Sequence, residues 1–241
     1  MTGSRDTDVG RVLGRPADLP SWLAPLLDVV VTVHAADLTR LVPPPSGGRE
    51  SAVLVLFGEG EDGPDVLLIE RAHDMTSHAG QPAFPGGKAE PLDDDPAATA
   101  LREAVEETGL NPAGVEILAE LPALWVPSGF VVRPVLAWWR DPSEVYVVDP
   151  DEVASVHRVA LAELADPARR LLVRHPSGFV GPAFDVRGLR VWGFTGGLLS
   201  TLMRLAGWDR PWDELRVIDL DAPLLAPFPD DDASATSGGA R

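Results

Sequence analysis

Apolar positions along this chain fall into short β-branched runs and a few helical stretches, separated by glycine- and proline-rich breaks. Residues 52–57 (AVLVLF) and 65–70 (DVLLIE) flank GEGEDGP, a composition that predicts a hairpin whose strands are buried on both faces. Residues 115–121 read as the next strand, stopped by Pro122, and residues 135–140, 144–148 and 153–156 as further strands. A short helix is expected over 160–164, then strand-like segments at 171–174, 179–185 and 189–192. An apolar helix should open at Trp192-Gly193-Phe194-Thr195, with Thr195 as N-cap, and run to Ala206; residues 217–220 add an edge strand. Ahead of all this, residues 20–27 and 34–41 have helix-like spacing, with Asp18 or Ser21 as candidate caps. The β-branched stretch 29–33 interrupts that pattern, and the Pro/Gly-rich run 43–48 reads as a linker.

The clearest helix covers residues 97–108. Asp95 suits the N-cap, Pro96 the first helical position and Gly109 the left-handed residue past the end, around a stretch rich in Ala, Leu, Arg and Glu. At about 100° per residue, Glu103, Glu106 and Glu107 share a sector of roughly 100°. Like charges three and four apart repel by about 0.2–0.5 kcal/mol per pair. Glu106 and Glu107 also oppose the helix dipole, at about 0.3–1 kcal/mol each. A solvated acidic face is the plainer explanation of three glutamates alone. A hard cation bound on that face, Mg²⁺ or Mn²⁺, would turn the cost into a purpose.

The surroundings of the helix favour the cation. Upstream lie a strand at 66–70 and the turn Phe84-Pro85-Gly86-Gly87, whose glycines let backbone approach a ligand closely. This order, ending in REAVEETGL, resembles the Nudix box: Arg102, Glu103, Ala104, Glu106, Glu107, Gly109 and Leu110 fill its second half. The first half departs. Counting back from Arg102 reaches Asp94 at the acidic position and Lys88 where the box has Gly. Counting from Gly87 reaches Asp93, with a gap one residue longer. That resembles a one-residue insertion and leaves the partner of Arg102 open between Asp93 and Asp94. Further upstream, LLIERAHDMTSHAGQPAFPGG resembles the signature of the coenzyme A pyrophosphatase branch at Leu67, Leu68, Arg71, Ala72, Gly80, Phe84, Pro85, Gly86 and Gly87. Thr76 stands where that branch has a second Arg, a difference that bears on substrate more than on chemistry. Residues 125–135, 151–156 and 192–197 resemble later elements of the branch, so the likeness covers about residues 51–206.

The resemblance implies an α/β fold, a Nudix-type α/β/α sandwich with a mixed β-sheet. It implies Mg²⁺ or Mn²⁺ bound by Glu103, Glu106 and Glu107 with the Gly87 carbonyl. Arg102 would anchor the loop, and Glu152 is the candidate acid from a distant loop. The general base is left open among Glu106, Glu107, Glu152 and the metal's own water. Arg71, His78, Phe84, Lys88, Ser128 and Gly129 are the substrate-binding candidates. Water would split a diphosphate, in the first place coenzyme A or acyl-CoA to 3′-phosphoadenosine 5′-phosphate and a 4′-phosphopantetheine product. NADH, ADP-ribose or another dinucleotide is the second reading, and a Nudix-fold binding module without turnover the third.

Composition narrows this further. The chain has 241 residues, 45% of them apolar, with seven Trp, which argues for a folded core. The expected division is a helical appendage and linker over 1–46, the catalytic domain over 47–208, and an extension over 209–241 ending in an acidic, Ser/Gly-rich tail. A net charge of −17 argues against nucleic-acid partners. It is compatible with a small polyanion, because Arg71, His73, His78 and Lys88 form a local basic interval. No apolar run approaches the ~20 residues of a membrane span. The absence of cysteine excludes disulfides, zinc thiolates and a Cys nucleophile, and the cytoplasm is the expected compartment. A homodimer is left open.

Overall fold

The computed structural model describes residues 9–39, 41, 47–74 and 79–220. The first elements are β1 (Arg11–Val12), α1 (Ala24–Val30), α2 (Ala35–Leu38), β2 (Arg49–Gly60), β3 (Gly63–Arg71), β4 (Pro82–Ala83) and β5 (Gly86–Lys88). There follow α3 (Pro96–Thr108), β6 (Val115–Glu120), β7 (Leu124–Val126), β8 (Phe130–Trp139), β9 (Val153–Ala160) and α4 (Leu161–Leu164). The chain continues through β10 (Arg170–Arg174), β11 (Val180–Val186), β12 (Leu189–Val191), α5 (Gly193–Leu205) and β13 (Val217–Asp219).

The hairpin forms as its composition predicts: β2 and β3 pair antiparallel with Phe57 opposite Val66, and Leu54–Phe57 and Val66–Ile69 are buried on both faces. Around it grows a mixed sheet in the order β1-β6-β8-β2-β3-β4, with β5 on β2, β7 on β8 and β9 on β3. The β2–β8 pair is parallel and the others antiparallel. One face, with Ala52, Leu54, Leu67 and Ala137, packs against Ala100 and Ala104 of α3; alanines there bring helix and sheet close. The other face, with Val55, Phe57, Leu68 and Leu136, packs against Leu26 and Val30 of α1 and Leu199 and Leu202 of α5. The result is the expected α/β class with a mixed sheet between helices. Among the described residues no helix is long and apolar enough to cross a membrane.

Several expectations need correction. The strands after residue 170 form a sheet of their own, β12-β11-β10-β13, whose Phe184, Val186 and Val191 reach into the main core. Residues 144–148 are not a strand. Their amides bind the end of α3 instead, Tyr146 N to Thr108 O at 2.9 Å and Val148 N to Glu107 O at 3.5 Å, which satisfies carbonyls a helix end leaves open. Trp192, not Thr195, occupies the N-cap of α5, and Thr195 is buried in the first turn. Leu23 precedes α1, so neither Asp18 nor Ser21 caps it. The helix expected over 34–41 shortens to α2, with the Asp37 carboxylate accepting from His34 N. The linker at residues 43–46 lies outside the described residues.

Candidate active site

Helix α3 begins and ends where its sequence says. The Asp95 carboxylate accepts from Ala98 N at 2.8 Å, worth about 1 kcal/mol. Gly109 closes the helix at φ 65°, and a Cβ there would lie 2.7 Å from the Tyr146 ring. The capping sets where α3 starts and stops, and the packing of Ala100 and Ala104 on the sheet sets its rotation, and with it the direction of the glutamates.

Glu103 and Glu107 point at β5. The expected turn at Gly86–Gly87 is a short strand paired with β2, Ala52 opposite Gly87 and Val53 opposite Gly86. Gly86 has a left-handed backbone and no room for a side chain, and at Gly87 a side chain would displace the Glu103 carboxylate. A Cβ on Gly86 would meet Ala52 O, and one on Gly87 would lie 2.5 Å from the Glu103 carboxylate. Gly86 N donates to Glu107 Oε2 at 2.9 Å. Glu107 is only 4% exposed. Burial pushes its carboxyl up to about 8, the Gly86 N–H and the Arg71 guanidinium pull it back, and Glu103 and Glu152 push it further. Burial likewise raises the Glu103 carboxyl, against the pull of Arg102, with Glu106 and Glu152 adding to the rise. Glu152, exposed on the loop before β9, is thus within electrostatic reach of both, although it is far away in sequence. Ala72 N donates to its carbonyl at 2.9 Å, which ties this loop to the end of β3 beside Arg71.

Glu106 behaves differently from the other two. Its carboxylate accepts from Arg102 Nη1 at 2.9 Å, and its side chain is 57% exposed. Among the described residues no three His, Asp or Glu side chains already stand together in positions to grip one ion. The donor chemistry nevertheless fits a hard divalent cation. Two carboxylates are held against a glycine backbone, one of them buried without a full counter-charge.

Arg102 is placed by a clamp. Its Nε and Nη2 each donate to Asp93 at 3.1 Å, and Nη2 also donates to Lys88 O at 3.0 Å. Asp93, not Asp94, is therefore its partner. Arg102, with help from the Glu90 N–H and Thr99, holds the Asp93 carboxyl well below the usual range. The guanidinium also reaches Glu103 at 3.1 Å, although the two residues diverge by about 100° around the helix. Thr99 completes the clamp: its Oγ1 donates to Asp93 Oδ2 at 2.9 Å. A hydroxyl in the first turn of a helix that follows an acidic loop was the available sequence signal for that contact.

The substrate-binding candidates scatter. Arg71 is within electrostatic reach of Glu107, and its Nε is buried and unpartnered. Lys88 is exposed next to Gly87. Ser128 and Gly129 form the β7–β8 turn, where their carbonyls accept from Arg49. Phe84 requires correction. It is 2% exposed and packs in the core with Val55 and Leu68, so its ring supports the site from behind. His73 lies 3.4 Å from Glu70. Thr76 and His78 fall outside the described residues.

The NUDIX domain model matches residues 48–180, more than half of the chain. The chain belongs to the Nudix family. As a Nudix hydrolase it acts on phosphorus-containing anhydrides, the pyrophosphate-linked compounds of that family. It is similar to an uncharacterized Nudix hydrolase, NudL, of Enterobacter sp. (strain 638), 37% identical over 161 residues, which is 64% of this chain and 81% of that protein. The mitochondrial Nudix hydrolase 15 of Arabidopsis thaliana is 35% identical over 160 residues, 63% of this chain but 56% of that protein. Among solved structures, the Nudix hydrolase RenU of M. smegmatis aligns with 70% of this chain and 92% of its own, with a TM-score of 0.46 and 18% identity.

Proposed function

We propose that this Nudix hydrolase cleaves coenzyme A or acyl-CoA to 3′-phosphoadenosine 5′-phosphate and (acyl-)4′-phosphopantetheine. The observation that carries the reading is the position of Arg71. The upstream signature supplies Arg71, Gly86 and Gly87, the box supplies Glu103 and Glu107, and the two motifs meet, with Arg71 acting on the Glu107 carboxyl and Gly86 N bound to it. Thr76, in place of the branch's second Arg, keeps NADH and ADP-ribose as the alternative substrates.

In this reading Glu103 and Glu107, with the Gly87 carbonyl, hold a divalent cation, Mg²⁺ or Mn²⁺. When bound, the ion neutralises diphosphate oxygens and acidifies water. Arg71 supplies a fixed positive charge to the same oxygens. The Arg102–Asp93 clamp keeps the loop and Lys88 in place, and Glu106 orients Arg102. Water attacks phosphorus and the P–O–P bridge breaks. Glu152, exposed and within electrostatic reach of Glu103 and Glu107, takes the proton of the attacking water. No covalent intermediate is needed.

The test is turnover by the purified protein with Mn²⁺, using CoA, NADH and ADP-ribose, with products identified by mass spectrometry. The expected outcome is kcat/KM at least about tenfold higher for CoA. Cleavage of NADH or ADP-ribose with none of CoA would refute the assignment and leave the diphosphatase chemistry standing.

A further inference from the structure

Many cations of this acidic chain are neutralised in place. Arg102, Arg140, Arg158, Arg187 and Arg190 all pair with acids. Among the described residues neither Arg49 nor Lys88, the only lysine in the sequence, has a carboxylate within ion-pair distance. The two are neighbours. Ser51 of β2 pairs with Lys88 of β5, and Arg49 lies two residues before Ser51. The register puts Arg49, Ser51 and Lys88 on one sheet face, with Arg49 diagonal to Lys88 at roughly 7–8 Å.

The row continues onto β8. Phe130 pairs with Arg49, and the Arg49 guanidinium carbon lies 4.0 Å from the ring centroid. Nη2 of Arg49 donates to Ser128 O at 2.9 Å. The guanidinium is therefore held on a ring while the residue stays exposed. The Arg49 guanidinium leans towards β8 and Lys88 stands on the β5 side of the same face, so an anion lying over Ser51 would meet positive charge from both sides. A planar, oriented guanidinium beside an ammonium suits a phosphate monoester. The location is equally specific. Lys88 follows Gly87, the residue against the Glu103 carboxylate, and β5 pairs with β2 alone. The row thus starts one residue from the glutamates and runs along the opposite sheet face.

We propose that Arg49, braced on Phe130, and Lys88 form a subsite for a phosphate carried on the ribose of the substrate's nucleoside. This inference rests on the coenzyme A reading and deepens it. CoA carries such a 3′-phosphate, whereas NADH and ADP-ribose do not, and the subsite supplies from β2 and β5 the positive charge that Thr76 cannot.

The experiment is competitive inhibition by 3′-phosphoadenosine 5′-phosphate and by AMP, measured against whichever diphosphate the enzyme cleaves. The wild type should bind the bisphosphate at least about tenfold more tightly than AMP at low salt. Arg49→Gln and Lys88→Gln should each lower that ratio by about threefold or more, and the double variant should bring it close to one. Both positions are exposed, and circular dichroism melts check that the variants fold. A wild-type ratio near one, or a ratio unchanged in the double variant, overturns the subsite. Because the readout is inhibitor preference, it stays separate from the substrate question. Absence of CoA turnover would sink the function proposed above, while a preference lost on substitution would still support the subsite.

Discussion

Glu107 sets the behaviour of the site at the residue scale. Its folded-state value of about 8 lies above the roughly 4.3 of an unfolded chain. Between those values the folded protein holds a proton that the unfolded chain has released. Stability therefore falls as pH rises through the window, by up to about 1.4 kcal/mol per pH unit. Without divalent cation, urea unfolding of the wild type should weaken from about pH 5 to about pH 8, and Glu107→Gln should remove most of that slope. With Mg²⁺ the wild type should regain stability and release protons on binding, and the variant should gain less. Turnover of Glu107→Gln should drop by about a hundredfold or more. Wild-type activity in this variant would remove Glu107 from the metal site.

At the scale of elements, the loop before α3 is fastened to the helix chiefly by Arg102, with Thr99 beside it on Asp93. Arg102 binds Asp93 twice, Lys88 O once and Glu106 once. Arg102→Ala should lower the thermal midpoint by roughly 3–10 °C and reduce activity with it. Asp93→Asn probes the same clamp by pH. The Asp93 carboxyl is depressed in the folded state, so the wild type's advantage over this variant is present at neutral pH. It should shrink as pH falls below about 4, and calorimetric melts from neutral to acid pH would show the two proteins converging. An advantage that stays constant down to acid pH would mean that the charge of Asp93 is not what holds the loop.

At the scale of the whole molecule, the described N-terminal segment shares the core of the catalytic sheet. β1 pairs with β6, and Trp208, just after α5, donates through Nε1 to Trp22 O at 3.0 Å. Its ring lies 5.8 Å from that of Trp22 and 5.3 Å from that of Phe57 on β2. One aromatic cluster thus joins the start of the chain, the central hairpin and the helix α5. Trp208→Ala should cost about 3 kcal/mol, and unfolding should remain a single transition by tryptophan fluorescence and far-UV circular dichroism. Two separated transitions would show that the N-terminal segment folds by itself.

What the sequence determined by itself was local. Asp95, Pro96 and Gly109 delimit α3 because caps act within about four residues. The apolar runs of β2 and β3 became a hairpin because a short turn leaves them no nearer partner. Pro-Ser-Gly-Phe occurs at 127–130 and at 176–179. Both copies turn the chain with a left-handed glycine, Gly129 at φ 80° and Gly178 at φ 87°, each donating to the residue three before it. Only the tertiary structure decided which of two adjacent aspartates meets Arg102, which glutamates turn inward, and that Phe84 is core. It alone brought Glu152 within electrostatic reach of Glu103 and Glu107, tied residues 144–148 to the end of α3, and put Arg49 and Lys88 on one face of neighbouring strands. Each of these depends on strand register or helix docking between segments tens of residues apart, where no local rule operates. A one-residue slip in strand register would send every side chain of the strand to the other face, and one in the helix would turn its glutamates by about 100°.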